Sequence, residues 1–191
     1  MFGYSVAVSG DTAIIGSYWD DDNGSDSGSA YVFKRDSSGA WSQQAKLLAA
    51  DGTAADFFGR SVAVSGDTAV IGSYGDDDNG SFSGSAYVFT RDSGGNWTQQ
   101  AKLLTADGAD GDYFGFSVSV SGDTVLIGSQ RDADNGFVSG SAYAFTRESG
   151  GNWTQQAKLL AADGAVGDYF GTSVSVWGDT AVIGSYLDDD K

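Results

Sequence analysis

Short β-type runs separated by polar, glycine-bearing turns set the pattern of the chain. In "YSVAVS", near the N-terminus, Val6 and Val8 point one way while Ser5, Ala7 and Ser9 point the other, the period-two alternation of a strand packed on both faces. Three more runs follow, "TAIIGS", "SAYVFKR" and "WSQQAKLL". In the third, Tyr31 and Phe33 share a face opposite Ala30 and Val32, so large and small faces alternate and neighbouring sheets can interdigitate. Gly10-Asp11 between the first two runs suits a two-residue type II′ turn, and "RDSSGAW" before the fourth supplies a glycine where a longer hairpin needs positive φ. Two successive antiparallel hairpins are therefore predicted.

The whole pattern recurs. Phe2-Gly3, Phe58-Gly59, Phe114-Gly115 and Phe170-Gly171 are each 56 residues apart, and the turn glycine returns as Gly66, Gly122 and Gly178. A period of this size marks a solenoid, a propeller or an array, and four strands per period is one propeller blade. The chain is read as all-β, with blades at residues 2–57, 58–113 and 114–169 and the first hairpin of a fourth at 170–191. A lone four-stranded blade is marginal, so blade stacking should supply most of the stability. A closed ring of seven such blades needs about twice this length. The chain is thus expected to be part of a longer propeller or to associate with other copies of itself.

Composition narrows the chemistry. Twenty-six acidic residues against ten basic ones give a net charge of −16, which repels a nucleic-acid backbone. All the acids but Glu148 are aspartate, the carboxylate of turns, so the charge is expected in the connections. The absence of His and Cys removes the commonest general base, the commonest transition-metal ligand and any disulfide framework. No run is long and apolar enough to insert in a membrane, and the first 20 residues lack the features of a secretory signal.

"FGYSVAVSGDTAIIGSY" resembles the FG-GAP repeat, the blade of integrin-α-like seven-bladed β-propellers, and especially its bacterial variety with a short first hairpin. Gly16-Ser17-Tyr18, Gly72-Ser73-Tyr74, Gly128-Ser129-Gln130 and Gly184-Ser185-Tyr186 stand where the family has Gly-Ala-Pro, the Pro being absent throughout. The resemblance implies a non-catalytic, extracellular or cell-surface module that binds a protein or a glycan. Its calcium loop lies inside the first hairpin, which here is only "SGDT", too short for an ion that takes six to eight oxygens.

Two sets of candidate residues emerge from the copies themselves. The first is the acidic run after Gly-Ser-Tyr, with Asp20, Asp22 and Asn23 recurring as Asp76, Asp78 and Asn79 and as Asp132, Asp134 and Asn135. Alternate carboxylates on a tight turn can chelate calcium, or they can cap their own backbone amides. A further acidic set precedes each Phe-Gly at Asp51 and Asp56, Asp107 and Asp112, and Asp163 and Asp168, where Asp-Gly reads first as a turn. The "NWT" sequons at Asn96 and Asn152 read as loop residues beside a blade Trp. The second candidate set comprises residues that vary while the frame stays constant: Tyr4, Arg60 and Phe116 after Phe-Gly, Trp19 and Arg131 before the acidic run, and Phe82 and Phe137 beyond it. Aromatics and Arg beside a polar loop suit contact with a protein or a sugar, against a reading as drift at a tolerant rim. Three function classes follow: a binding propeller, a self-assembling structural repeat, and an enzyme hydrolysing glycosides on Asp pairs. Identical carboxylates in every blade fit a framework better than one active site.

Overall fold

A computed structural model describes residues 2–189. Among them fourteen strands form three four-stranded antiparallel sheets and one hairpin, each sheet in simple sequence order. The first contains β1 (Ser5–Ser9), β2 (Thr12–Ser17), β3 (Ser29–Arg35) and β4 (Trp41–Leu47). The second contains β5 (Ser61–Ser65), β6 (Thr68–Ser73), β7 (Ser85–Arg91) and β8 (Trp97–Leu103). The third contains β9 (Phe114–Ser121), β10 (Thr124–Ser129), β11 (Ser141–Arg147) and β12 (Trp153–Leu159), and the hairpin is β13 (Phe170–Trp177) with β14 (Thr180–Ser185). These are three propeller blades and the inner half of a fourth, in an arc that does not close.

The turns take the predicted form. Gly10, Gly66, Gly122 and Gly178 have φ between 55° and 58° and the aspartate that follows each is not left-handed, as a type II′ turn requires. Asp11 does more than turn the chain: its carboxylate accepts Arg35 Nε at 2.9 Å, a pairing repeated by Asp67 with Arg91 and Asp123 with Arg147.

Three apolar clusters lie between successive sheets. Tyr87 and Phe89, on the large face of β7, pack with Ile14, Val32 and Leu47 of the first sheet, while Val70 and Val88, on the opposite face of the second sheet, pack with Tyr143 and Phe145 of the third. Large faces thus meet small ones at each junction. The small face of β1 is crowded by the next sheet rather than by the axis alone, since Ser5 Oγ donates to the Gly59 carbonyl at 2.8 Å. The same bond joins Ser61 to Gly115 and Ser117 to Gly171.

The Phe-Gly pair is a clamp between blades. Phe58 N donates to the Ser27 carbonyl of the preceding blade at 3.0 Å, while its fully buried ring meets Tyr87 of its own blade edge-on at 5.4 Å. Gly59 in turn lies against Gly16: a Cβ on Gly16 would stand 2.0 Å from the Gly59 carbonyl oxygen, so the Gly of "Gly-Ser-Tyr" is required by the approach of the next repeat.

Candidate functional site

Both long connections of each repeat lie at the same end of the blades, opposite the tight hairpins. They are laced together there, as Asn23 Nδ2 donates to the Ala49 carbonyl at 3.1 Å and Gly28 forms a parallel bridge with Phe58. Asn79 and Asn135 do the same to Thr105 and Ala161, so these three asparagines present a donor to backbone.

The acidic candidates sit on this face around a lysine. Lys102 Nζ lies 2.8 Å from Asp76, 2.8 Å from Asp78 and 2.9 Å from Asp51, and the Tyr87 hydroxyl donates to Asp76 at 2.8 Å. The third blade repeats the arrangement with Lys158 among Asp107, Asp132 and Asp134, and the first has Lys46 with Asp20 and Asp22. Burial works against the charge on Asp20 and Asp132, yet hydrogen bonds from the lysine and the tyrosine hydroxyl outweigh it and hold both carboxyls below the usual aspartate range. Burial likewise opposes the charge on each lysine, and the surrounding carboxylates more than reverse it. In each cluster the lysine ammonium lies among the carboxylates that the run alone offered to calcium.

Asp56, Asp112 and Asp168 are buried caps instead. Their carboxylates accept the backbone N–H of Thr53, Ala109 and Ala165 at 2.6 to 2.8 Å. Desolvation pushes the Asp112 carboxyl up to about 6.

The variable residues come together as an aromatic surface. Tyr4 meets Tyr18 at 4.6 Å, Tyr18 meets Phe57 at 6.2 Å, Phe57 stacks on Tyr74 at 5.0 Å with planes 5° apart, and Tyr74 touches Tyr113 and Phe116 at 5.0 and 5.8 Å. Arg60 is sandwiched between Tyr4 and Phe116, its guanidinium carbon 4.4 and 4.3 Å from the two ring centres, and Arg131 lies over Tyr113 at 4.8 Å. Trp19 leans on Tyr18 at 4.9 Å and Phe82 on Tyr113 at 5.8 Å. Phe137 projects at the edge, 69% exposed. Two depressions open on this surface, one of about 290 Å³ beside Tyr4, Arg60 and Phe116, the other of about 380 Å³ between Phe82, Arg131 and Phe137. All seven variable candidates therefore lie on one face, divided between an inner row and an outer groove.

The rings linking them were not singled out by the copy comparison. Tyr18 and Tyr74 belong to the Gly-Ser-Tyr element, whose tyrosine is replaced by Gln130 in the third copy, and Phe57 and Tyr113 precede Phe-Gly, a place that is aromatic before Phe58, Phe114 and Phe170. Phe57, Tyr113 and Tyr169 adopt φ between 55° and 61°, and Phe82 has φ 54°, a left-handed backbone that costs bulky residues about 1–3 kcal/mol each. A hydrogen bond from Tyr113 N to the Phe82 carbonyl at 3.1 Å fixes one such pair. The surrounding fold holds these rings in place against their own preference.

The family model described as FG-GAP repeat matches residues 1–33, 41–89, 97–145 and 153–191. The chain belongs to the FG-GAP repeat family. The unmatched residues of this FG-GAP protein, 34–40, 90–96 and 146–152, cover the turns joining the third and fourth strands of each blade. Among solved structures it is similar to Sqt1 from Chaetomium thermophilum, with a TM-score of 0.50 over 85% of this chain at 14% identity. The chain spans 37% of the length of that protein, and the likeness concerns the fold alone. Comparison with curated proteins gives no match.

Proposed function

We propose that this FG-GAP chain is a non-catalytic propeller module, extracellular or at the cell surface, that binds a protein or glycan partner through the aromatic face. The observation that carries the reading is the unbroken set of ring contacts from Tyr4 to Phe82, with Arg60 and Arg131 set on it. Aromatics and arginines are the residues on which binding energy concentrates, and here they replace the charged loops that cover the rest of the rim. Family membership supports both the module and its placement outside the cell. A panel of immobilised glycans and extracellular-matrix proteins tests the proposal. Binding that falls at least tenfold in Arg60→Ala and Phe116→Ala proteins of unchanged melting temperature is expected, and a protein that retains no member of either panel would overturn it.

A second reading, association with another copy or with further repeats, is favoured by the two end faces. Val6 and Val8 on β1 are 69% and 68% exposed, and Trp177 and Val182 on the last hairpin are 83% and 64% exposed. The same positions within the arc are covered by the adjoining blade. Sedimentation of the chain should show species larger than the monomer that disappear in Val6→Lys, Val8→Lys protein, and a monomer at all concentrations would sink the idea.

A further inference from the structure

The three blade junctions share a common frame, and three of the places where the middle one differs are changes of charge on the same groove. At the first junction the residues are Ala54, Gly75 and Asp77, and at the last they are Val166, Leu187 and Asp189, whereas the middle has Asp110, Arg131 and Ala133. Each change alters the chemistry of the surface. Asp21 and Asp77 spend a carboxylate oxygen on the backbone N–H of Asp26 and Phe82, at 2.8 and 2.7 Å, and Ala133 removes that carboxylate from the loop that carries Arg131. Asp110 uses one oxygen on Ser81 N at 2.9 Å and leaves the other for a ligand.

Arg131, like Arg60, is held by an aromatic ring rather than by a carboxylate. Six basic residues, Arg35, Lys46, Arg91, Lys102, Arg147 and Lys158, are paired with aspartates. Arg131 instead rests on the Tyr113 ring and lines the groove of about 380 Å³, within the range of small-ligand pockets. Its stacked guanidinium keeps its N–H donors at the edge, in the fork geometry that matches a carboxylate. Phe137, in the same connection as Arg131, lines this groove and offers an exposed aromatic ring.

Resting on the reading that this face binds a ligand, we propose that the middle groove is a site for an acidic sugar. The sugar carboxylate takes the Arg131 fork, hydroxyl groups donate to the free Asp110 oxygen, and the C–H face of the ring lies on Phe137. A cation, an acceptor and an apolar ring together match a uronic acid, which carries a carboxylate, hydroxyl donors and an apolar face in one small ring. An extended acidic peptide fits less well, because the groove is small and a net charge of −16 repels a polyanion.

Calorimetric titration with methyl glucuronide, methyl glucoside and a hexaglutamate peptide tests the site on the full chain. The glucuronide should bind at least about tenfold more tightly than the glucoside. Arg131→Gly, which installs the residue of the second repeat, and Ala133→Asp, which restores the carboxylate of the first two, should each weaken it at least tenfold without moving the melting temperature. If either variant fails to fold, Phe137→Ser should give the same loss. Equal binding of acidic and neutral sugar, glucuronide affinity unchanged in Arg131→Gly, binding of the peptide alone, or no glucuronide binding at millimolar concentration would each overturn the proposal. Neutral-glycan or protein binding that survives Arg131→Gly and is lost in Arg60→Ala would do so while leaving the broader binding function intact.

Discussion

Val70 in the second blade and Val182 in the last hairpin occupy the same place in the repeat, within "TAVIGSY" in both copies, yet one is fully buried and the other is 64% exposed. The strand and its turn are the same in the two units, and the inner strand is closely similar, with Ala63 opposite Val70 and Ser175 opposite Val182. What differs is the surroundings: Val70 has Val88 of an outer strand beside it and a further blade over it, and Val182, among the described residues, has neither. A blade of this protein therefore does not own its core: each apolar cluster belongs to a junction, and a unit at the end of the arc keeps its shape with half its burial missing.

The sharpest way to break that comparison is through the Phe-Gly phenylalanines. Phe114→Ala should lower stability by about 3–5 kcal/mol, whereas Phe2→Ala, whose ring is 56% exposed, should cost far less. Equal losses in thermal unfolding would mean that the rings stabilise their own blades rather than the junctions.

Lys102→Met comes next, since it leaves Asp51, Asp76 and Asp78 facing one another without a cation. Breaking a buried charge cluster from one side costs about 3–5 kcal/mol, and the partial exposure of Asp51 and Asp78 puts this case at or below the lower end. The same change at Lys46, which has two partners and is more exposed, should cost less. Millimolar calcium should raise the melting temperature of the Lys102→Met protein and leave the wild type where it was, and equal responses would contradict the view that the ammonium fills the cage.

Gly72→Ala sets a Cβ 1.9 Å from the Gly115 carbonyl oxygen, while Gly184→Ala meets only the Ser173 side chain. A loss of about 1–3 kcal/mol is expected for the first and a smaller one for the second. Melting of the two proteins side by side checks it.

The smallest effect is in the pH dependence. The Asp112 carboxyl has its pKa raised to about 6 from 3.8, so between those values the folded chain holds a proton that the unfolded chain has released. Its contribution is full below about pH 4 and is lost as pH rises through 6. Asp132 runs the opposite way: its depressed pKa gives stability that is present above pH 4 and lost at lower pH. Asp112→Asn should match the wild type near pH 4 and exceed it at pH 8. A difference that does not change with pH would show that the caps do not titrate.

Most of the frame could be read from the residues. Period-two runs, Gly10 and Gly39 in their turns, and the 56-residue spacing carry local rules that act within a few residues, and the blades follow from them. The acid cages were not legible in the same way, because Asp22 meets Lys46 across 24 residues through the β3 to β4 pairing, and "QQAKLL" alone reads as an ordinary strand end. A signal was nonetheless present, since Lys46, Lys102 and Lys158 keep a constant distance from the aspartates. The variable positions cluster on one face, but the rings that join them lie at places that change little between copies, which a comparison of copies passes over.

The contact between Gly16 and Gly59, repeated by Gly72 with Gly115 and Gly128 with Gly171, makes every joint of the arc the same joint. A gene encoding such a chain can gain or lose a whole unit by unequal recombination between near-identical segments and still bring matching surfaces together. A slip of one residue, by contrast, would part a pair of glycines and spoil a single seam. Such a seam accommodates a change of length in steps of one repeat, and the rim residues of each unit lie outside it.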